Sequence, residues 1–81
     1  MKLNLTFLLD VPELGKESNT QLNMDAGATV SELRLKLAAI FPSLVDWVEF
    51  LLVSVDGKLV EDDFKLSDGQ TVLLLLPRSG G

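Results

Sequence analysis

The residues with the clearest potential for chemistry are the two glycines at the end of the chain, Gly80 and Gly81. A backbone without side chains can lie extended in a narrow tunnel of another protein and present its α-carboxylate there. A carboxylate is a poor acyl donor, but an acyl-adenylate has a good leaving group that a persulfide, a thiol or an amine can displace. We therefore expect acyl-transfer chemistry at the carboxylate of Gly81, with a partner enzyme supplying ATP, magnesium and catalysis.

The three residues before these glycines suit the same use. Pro77 fixes φ where the chain leaves the last strand, so less conformational freedom is lost when the tail binds a partner. Ser79 keeps the tail narrow, and we expect Pro77, Arg78 and Ser79 to contact the partner. The alternative is that Ser-Gly-Gly is an ordinary frayed terminus or a remnant of cloning.

The rest of the sequence offers little for autonomous catalysis. The chain has no His and no Cys, and so lacks a ready general base, a strong nucleophile and the usual ligands of zinc, haem or iron–sulfur clusters. Acidic residues cluster at positions 61–63, which we interpret as a solvated turn and not as a pair of catalytic carboxylates. We expect a non-catalytic chain that binds no cofactor and no metal itself.

Composition limits the classes of molecule that the chain is expected to bind. Seven Lys and Arg residues oppose twelve Asp and Glu residues, and the net charge of -5 disfavours binding to nucleic acid. No apolar run approaches the roughly 20 residues of a membrane span, so we expect no membrane association and a cytoplasmic location. The apolar fraction of 47% exceeds what one small domain needs, which favours a protein partner.

Hydrophobic periodicity in the first half predicts two strands and a helix. Residues 2–9 and 20–25 alternate polar and apolar side chains, and the loop at 10–18 is too long for a tight hairpin. Thr29 and Glu32 fit a capping box at a helix start. The predicted buried face of this helix, which the following proline ends, comprises Val30, Leu33, Leu37, Ile40 and Phe41.

The second half predicts three further strands. Residues 43–49 form an irregular or short helical connection, and the apolar run 50–55 is typical of an inner strand, which we place at the centre of the sheet. Asp56-Gly57 is a strong hairpin signal before a strand at 58–60. The last strand, at 71–76, is apolar on both faces, so both faces should be covered.

The second face of the last strand can be covered in two ways. Either the connection carrying Trp47 folds over it as core, or that face docks on a partner protein. For docking we select Phe7, Leu59 and Leu75, which lie on strands near the expected tail end.

The order strand, strand, helix, strand, short strand, strand predicts an α+β fold. One main helix packs on a mixed sheet of four to five strands, which is the ubiquitin-like β-grasp arrangement. We place the β-grasp domain at residues 1–76 and a flexible Gly-Gly tail at 77–81.

Residues 50–81 resemble the small subunit of molybdopterin synthase, whose members carry a Pro-x-Ser-Gly-Gly-like tail after a DGD segment and an apolar strand. Here these features are the turn at 67–70, the strand at 72–76 and the tail at 77–81, and Arg78 departs from the family's usual aliphatic residue. The resemblance implies that a ubiquitin-activating-like enzyme adenylates Gly81, which becomes a thiocarboxylate. Gly80 and Gly81 would then enter the large synthase subunit to deliver sulfur.

Three other functions fit the same sequence. A ubiquitin-like protein modifier would be joined through Gly81 to a substrate lysine. A thiamine sulfur carrier has a similar fold and tail but is typically shorter. A plain adaptor would bind partners through its sheet and would not need Gly80-Gly81.

Overall fold

The computed structural model describes residues 1–77, and the predictions made for Arg78, Ser79, Gly80 and Gly81 lie outside the described residues. The described part contains five strands, one α-helix and two short 3-10 helices. The 3-10 helices span Pro12–Leu14 and Pro42–Leu44. The other elements are β1 (Lys2–Leu8), β2 (Asn19–Asn23), α1 (Val30–Ile40), β3 (Leu52–Val55), β4 (Lys58–Val60) and β5 (Thr71–Leu75).

The strands form one mixed sheet in the order β2-β1-β5-β3-β4. β5 runs parallel to β1 and antiparallel to β3, while the β1–β2 and β3–β4 pairs are antiparallel. The predicted α+β, ubiquitin-like β-grasp fold is therefore confirmed. The third strand, β3, is an inner strand as predicted, but its predicted place at the centre is wrong, because β5 lies between β1 and β3 and takes the centre.

The core lies between α1 and one face of the sheet. The alternate side chains Leu3, Leu5 and Phe7 of β1 are buried there, together with Val72 and Leu74 of β5. From the helix side Val30, Leu33, Leu37 and Phe41 are buried, as predicted. These contacts form one continuous cluster of apolar side chains.

Ile40 departs from the prediction, since its side chain is exposed. Phe41, the residue that caps the helix, has φ -119 and ψ 84, so the chain turns there and carries the Phe41 ring inward. That ring packs edge-on against Phe7 with centroids 5.6 Å apart. Phe41 fills the last core position, and Ile40 is left at the rim.

Local signals set the helix start and the β3–β4 turn as predicted. The Thr29 hydroxyl accepts from the amide of Glu32, and the Glu32 carboxylate accepts from the amide of Thr29 at 3.1 Å, which completes the capping box. At the turn, Asp56 and Gly57 have φ 48 and 90 and connect β3 to β4 with a two-residue loop. Asp56 also exchanges two hydrogen bonds with the backbone of Thr71, which ties this hairpin to β5.

The boundaries near the connection between α1 and β3 differ from the prediction. Strand β3 begins at Leu52, not at Phe50, because the amide of Phe50 donates to the carbonyl of Trp47 within a turn. β5 ends at Leu75, one residue early. Within residues 1–77, α1 falls short of the length and apolar character that a membrane-spanning helix needs.

Two leucines of α1 test this account of the core. Leu33 is fully buried, whereas Leu35 is 72% exposed. We expect Leu33→Ala to lower the free energy of unfolding by about 2–5 kcal/mol, because it leaves a cavity against the sheet. Leu35→Ala, the matched control, should change it by less than about 0.5 kcal/mol. Urea unfolding followed by circular dichroism measures both, and equal losses would contradict the assignment of the helix faces.

Candidate functional site

The sheet face turned away from α1 is divided into a polar and an apolar half. On the side of β2, outward side chains hydrogen-bond to one another across the strands. The Gln21 amide donates to the Asn4 side chain at 3.0 Å, and the Thr6 hydroxyl donates to the Asn19 side chain at 2.8 Å. This polar half satisfies its own hydrogen-bonding groups and has the character of an ordinary solvated surface.

The other half is apolar and lies at the end of β5 from which the chain leaves the sheet. Leu75 is paired directly with Leu8 on β1 and with Leu52 on β3. Leu73 is paired with Ser54, which in turn is paired with Leu59 on β4. Directly opposed residues project on the same side of a sheet. The resulting surface, here called the outer apolar face, comprises Leu8, Leu52, Leu59, Leu73 and Leu75.

Two of the three residues predicted for docking lie on this face. Leu59 is 66% exposed, and Leu75 is partly buried among its neighbours. The prediction that Phe7 takes part in docking is wrong, because its side chain is 2% exposed and points to the core. Successive side chains of a strand project to opposite faces, so the residue of β1 that reaches the outer apolar face is Leu8.

The other three residues of the outer apolar face, Leu8, Leu52 and Leu73, were not among those predicted for docking. The signal for Leu8 was present in the sequence, since Leu3, Leu5 and Phe7 already alternate as an inward series. Leu52 and Leu73 lie in continuous apolar runs, where alternation gives no sign of which side chain points outward. Their placement depends on the pairing of β3 with β5.

The chain leaves β5 through Leu76 and Pro77, beside a shallow groove. We call this feature the exit groove; its lining residues are Leu9, Asp10, Pro12, Ser43, Leu44, Trp47 and Leu76. Leu44 and Val48 of the neighbouring connection are buried in the main core, whereas Trp47 is 53% exposed. Leu44 and Val48 are therefore core on the side of α1. The predicted cover of the second face of the last strand by this connection is not observed, since Leu8, Leu52 and Leu59 of that face are exposed.

A carboxylate holds the two walls of the exit groove together. Glu13 accepts hydrogen bonds from the amide of Ser43, at 2.9 Å, and from the Ser43 hydroxyl. These bonds join the loop after β1 to the start of the 3-10 helix Pro42–Leu44. The hydrogen bond from the Ser43 side chain, followed by that from its backbone amide, lowers the pKa of Glu13 below its ordinary value of 4.5.

Arg34 fixes the segment that carries Trp47 from the helix side. Its Nη1 donates to the carbonyls of Val48, at 2.6 Å, and of Leu51, at 2.8 Å, while its Nε pairs with Asp62 at 2.8 Å. One guanidinium therefore connects α1, the connection before β3 and the turn after β4. The predicted turn at 61–63 is confirmed, and one of its carboxylates has this structural role.

A metal site is not formed by the described part of the chain. Within residues 1–77 the acidic side chains nowhere gather in a group of three or more that could hold an ion. The prediction that the chain binds no metal itself stays a prediction.

Comparison with protein families now identifies the chain. The model of the ThiS family matches residues 11–81, which include the tail and the residues of the exit groove other than Leu9 and Asp10. The chain belongs to the ThiS family. The resemblance to ubiquitin-like sulfur carriers noted from the tail is thereby confirmed. Comparison with curated proteins finds no match.

Solved structures with a similar fold include two archaeal proteins and one bacterial protein. SAMP1 from Haloferax volcanii is 20% identical, with full coverage of both chains and a TM-score of 0.81. A putative molybdopterin converting factor subunit 1 from Pyrococcus furiosus is 19% identical over 95% of this chain and 98% of its own, with a TM-score of 0.80. In a complex of subunits 1 and 2 of molybdopterin-converting factor from Helicobacter pylori, the matching chain is 24% identical, with full coverage of both chains and a TM-score of 0.70. At these identities the likeness shows the fold.

The Glu13–Ser43 contact predicts a pH effect with a definite sign. Because the pKa of Glu13 is lowered in the folded chain, the contact stabilises the fold above pH 4.5 and is lost as the pH falls through the lowered pKa. Ser43→Ala removes the hydroxyl donor, so the pKa of Glu13 should rise toward 4.5. An NMR titration of the Glu13 carboxyl carbon measures this. Ser31→Ala, at an exposed serine elsewhere, is the control, and equal Glu13 titrations in all three proteins would contradict the role of Ser43.

Proposed function

We propose that this ThiS-family chain carries sulfur on its C-terminal glycine. Gly81 is adenylated, converted to a thiocarboxylate and used to donate sulfur in molybdopterin biosynthesis, with the chain acting as the small subunit of a molybdopterin synthase-type complex. The observation that supports this most is the position of β5. It is the central strand, it carries Leu73 and Leu75 of the outer apolar face, and it leads directly into Leu76 and Pro77.

The proposed chemistry takes place at the carboxylate of Gly81. A carboxylate oxygen attacks the α-phosphorus of ATP, and pyrophosphate leaves. A persulfide of an enzyme then attacks the carbonyl carbon of the acyl-adenylate, and AMP leaves. A thiol reductant cleaves the remaining sulfur–sulfur bond, is itself oxidised to a disulfide, and releases the thiocarboxylate. ATP and magnesium belong to the activating enzyme, and this chain supplies the substrate carboxylate without a catalytic side chain.

For this chemistry the chain needs mainly a narrow tail and a surface that binds a partner. Gly80 and Gly81 supply the narrow end, and Pro77, Arg78 and Ser79 are the proposed contacts along the tunnel of the partner. The outer apolar face is the proposed docking surface, with Leu59 and Leu75 retained from the sequence prediction and Leu8 in place of Phe7.

The proposed partner for this face is the large subunit of a molybdopterin synthase. The Helicobacter pylori structure is a complex of subunit 1 with subunit 2 of molybdopterin-converting factor, and its matching chain covers this one completely. Exposed apolar patches next to a functional segment are typical of protein interfaces. A ubiquitin-activating-like adenylating enzyme is the second proposed partner, since the carboxylate must be activated before sulfur can be added.

Protein modification is the second candidate function. The similarity to SAMP1, the small archaeal modifier protein 1 of Haloferax volcanii, favours it. In this case a lysine amine of a target protein attacks the same acyl donor and forms an isopeptide bond. A thiamine pathway would use the same thiocarboxylate with a different sulfur acceptor. An adaptor without tail chemistry would function equally well after removal of Gly80 and Gly81.

Intact-mass spectrometry tests the proposed function. The full chain and a chain lacking Gly80-Gly81 are incubated with the adenylating enzyme, ATP, magnesium and a sulfur donor. We expect the mass of the full chain to rise by the difference between one sulfur and one oxygen atom, because the thiocarboxylate replaces the carboxylate. The truncated chain should stay unchanged. Adducts with other proteins that survive denaturation would indicate modification instead, and a full chain that forms neither product would contradict both proposals.

A further inference from the structure

The exit groove has the composition of a site for a cationic side chain. It is shallow, with a volume of about 300 Å³, which is at the lower end of the range for small-molecule sites and is enough for one side chain. Its lining residues include Trp47, which is 53% exposed, together with Asp10 and Ser43. An aromatic ring and a carboxylate together are the usual partners of a guanidinium.

The surroundings of the exit groove are acidic. Residues 9–17 and 42–50, the two segments that contain all of its lining residues except Leu76, carry one lysine, Lys16. Against it stand five carboxylates, Asp10, Glu13, Glu17, Asp46 and Glu49. With one positive and five negative charges, the two segments together have a net charge of -4, whereas the whole chain has a net charge of -5. The groove therefore lies in the negative field of the molecule and attracts a positively charged partner group.

We propose that the exit groove is a second docking site, which takes an arginine side chain of the enzyme that holds and activates the tail. This inference deepens the proposed function and rests on it. The guanidinium stacks on the indole of Trp47 and pairs with Asp10, while its methylene groups contact Leu9 and Leu76. Arginine is favoured over an aliphatic side chain because Asp10 would lose its hydration against an apolar group without gaining a partner.

The position of the groove determines which protein fills it. Leu76 lines the groove and immediately precedes Pro77, so any protein that holds the tail along its length lies against the groove as well. A second copy of this chain would bring the same negative segments into contact with one another, which like-charge repulsion opposes. The outer apolar face and the exit groove are adjacent at the same end of the sheet, since Leu8 and Leu75 are followed directly by Leu9 and Leu76.

The chain contains one tryptophan, which makes occupation of the groove directly measurable. The full chain is labelled with 5-fluorotryptophan and titrated with the unlabelled cognate adenylating enzyme, and the single ¹⁹F resonance is followed. We expect this resonance to shift on binding. We also expect the Asp10→Asn variant to bind the enzyme more weakly and to show a smaller shift. Raising the salt concentration should weaken binding, because the contact is electrostatic and partly exposed.

Kinetics of adenylation provide the second readout and a matched control. Trp47→Ala should lower kcat/KM for adenylation of the chain about fivefold to tenfold, mainly through KM, because it removes the stacking surface. Phe50→Ala is the control, since Phe50 is an aromatic residue of the same segment that is 62% exposed and lies outside the groove lining. It should leave kcat/KM within about twofold of the unaltered chain. Thermal unfolding of both variants verifies that they are folded.

Each alternative outcome overturns the inference in a recognisable way. Equal kcat/KM for Trp47→Ala and the unaltered chain, with normal thiocarboxylate formation, would reject the groove as a docking site and leave the proposed function intact. Equal losses for Trp47→Ala and Phe50→Ala would reject a specific role of the groove. A fluorine resonance that moves in the free chain on Arg78→Ala would assign the groove to the chain's own tail. Absence of any adenylate with the unaltered chain would reject the proposed function together with the inference.

Discussion

The parallel pairing of β1 with β5 is the constraint on which the functional surfaces depend. This pairing, in register from Asn4 opposite Thr71 to Leu8 opposite Leu75, places the last strand at the centre of the sheet. The chain therefore leaves the body next to the end of β1 and not at a sheet edge. The outer apolar face and the exit groove consequently meet at the end of the sheet where the chain continues into Leu76 and Pro77.

Strand alternation then assigns different tasks to the two faces. The inward side chains of β1 and β5 pack on α1 and on Phe41, and they account for most of the burial of both strands. The outward side chains are free to be polar beside β2 and apolar beside β3 and β4. Arg34 and Glu13 hold the intervening connections in place through hydrogen bonds to backbone and hydroxyl groups. Packing thus supplies stability, while the outward residues remain available for a partner.

The features that could be predicted from the sequence are those governed by neighbouring residues. The Thr29–Glu32 capping box and the Asp56-Gly57 turn need only a few consecutive residues, and both are confirmed. The inward direction of Phe7 was also signalled locally, by its alternation with Leu3 and Leu5, although Phe7 was selected for docking. The central position of β5 could not be assigned in this way, because it depends on strands that are distant in sequence. The exit groove was missed entirely, since its walls are joined only when Glu13 meets Ser43, thirty positions away. The tail chemistry was inferred from Gly80-Gly81 and the family resemblance.

The central claim is that the outer apolar face and the tail present one surface to the large subunit. Isothermal titration calorimetry of that subunit with Leu59→Asp and Leu35→Asp variants tests it most directly, because both leucines are exposed but only Leu59 lies on the face. Our account predicts at least about a tenfold loss of affinity for Leu59→Asp, where a charge would be buried, and unchanged affinity for Leu35→Asp. Equal affinities for the two variants, with both proteins folded, would contradict it.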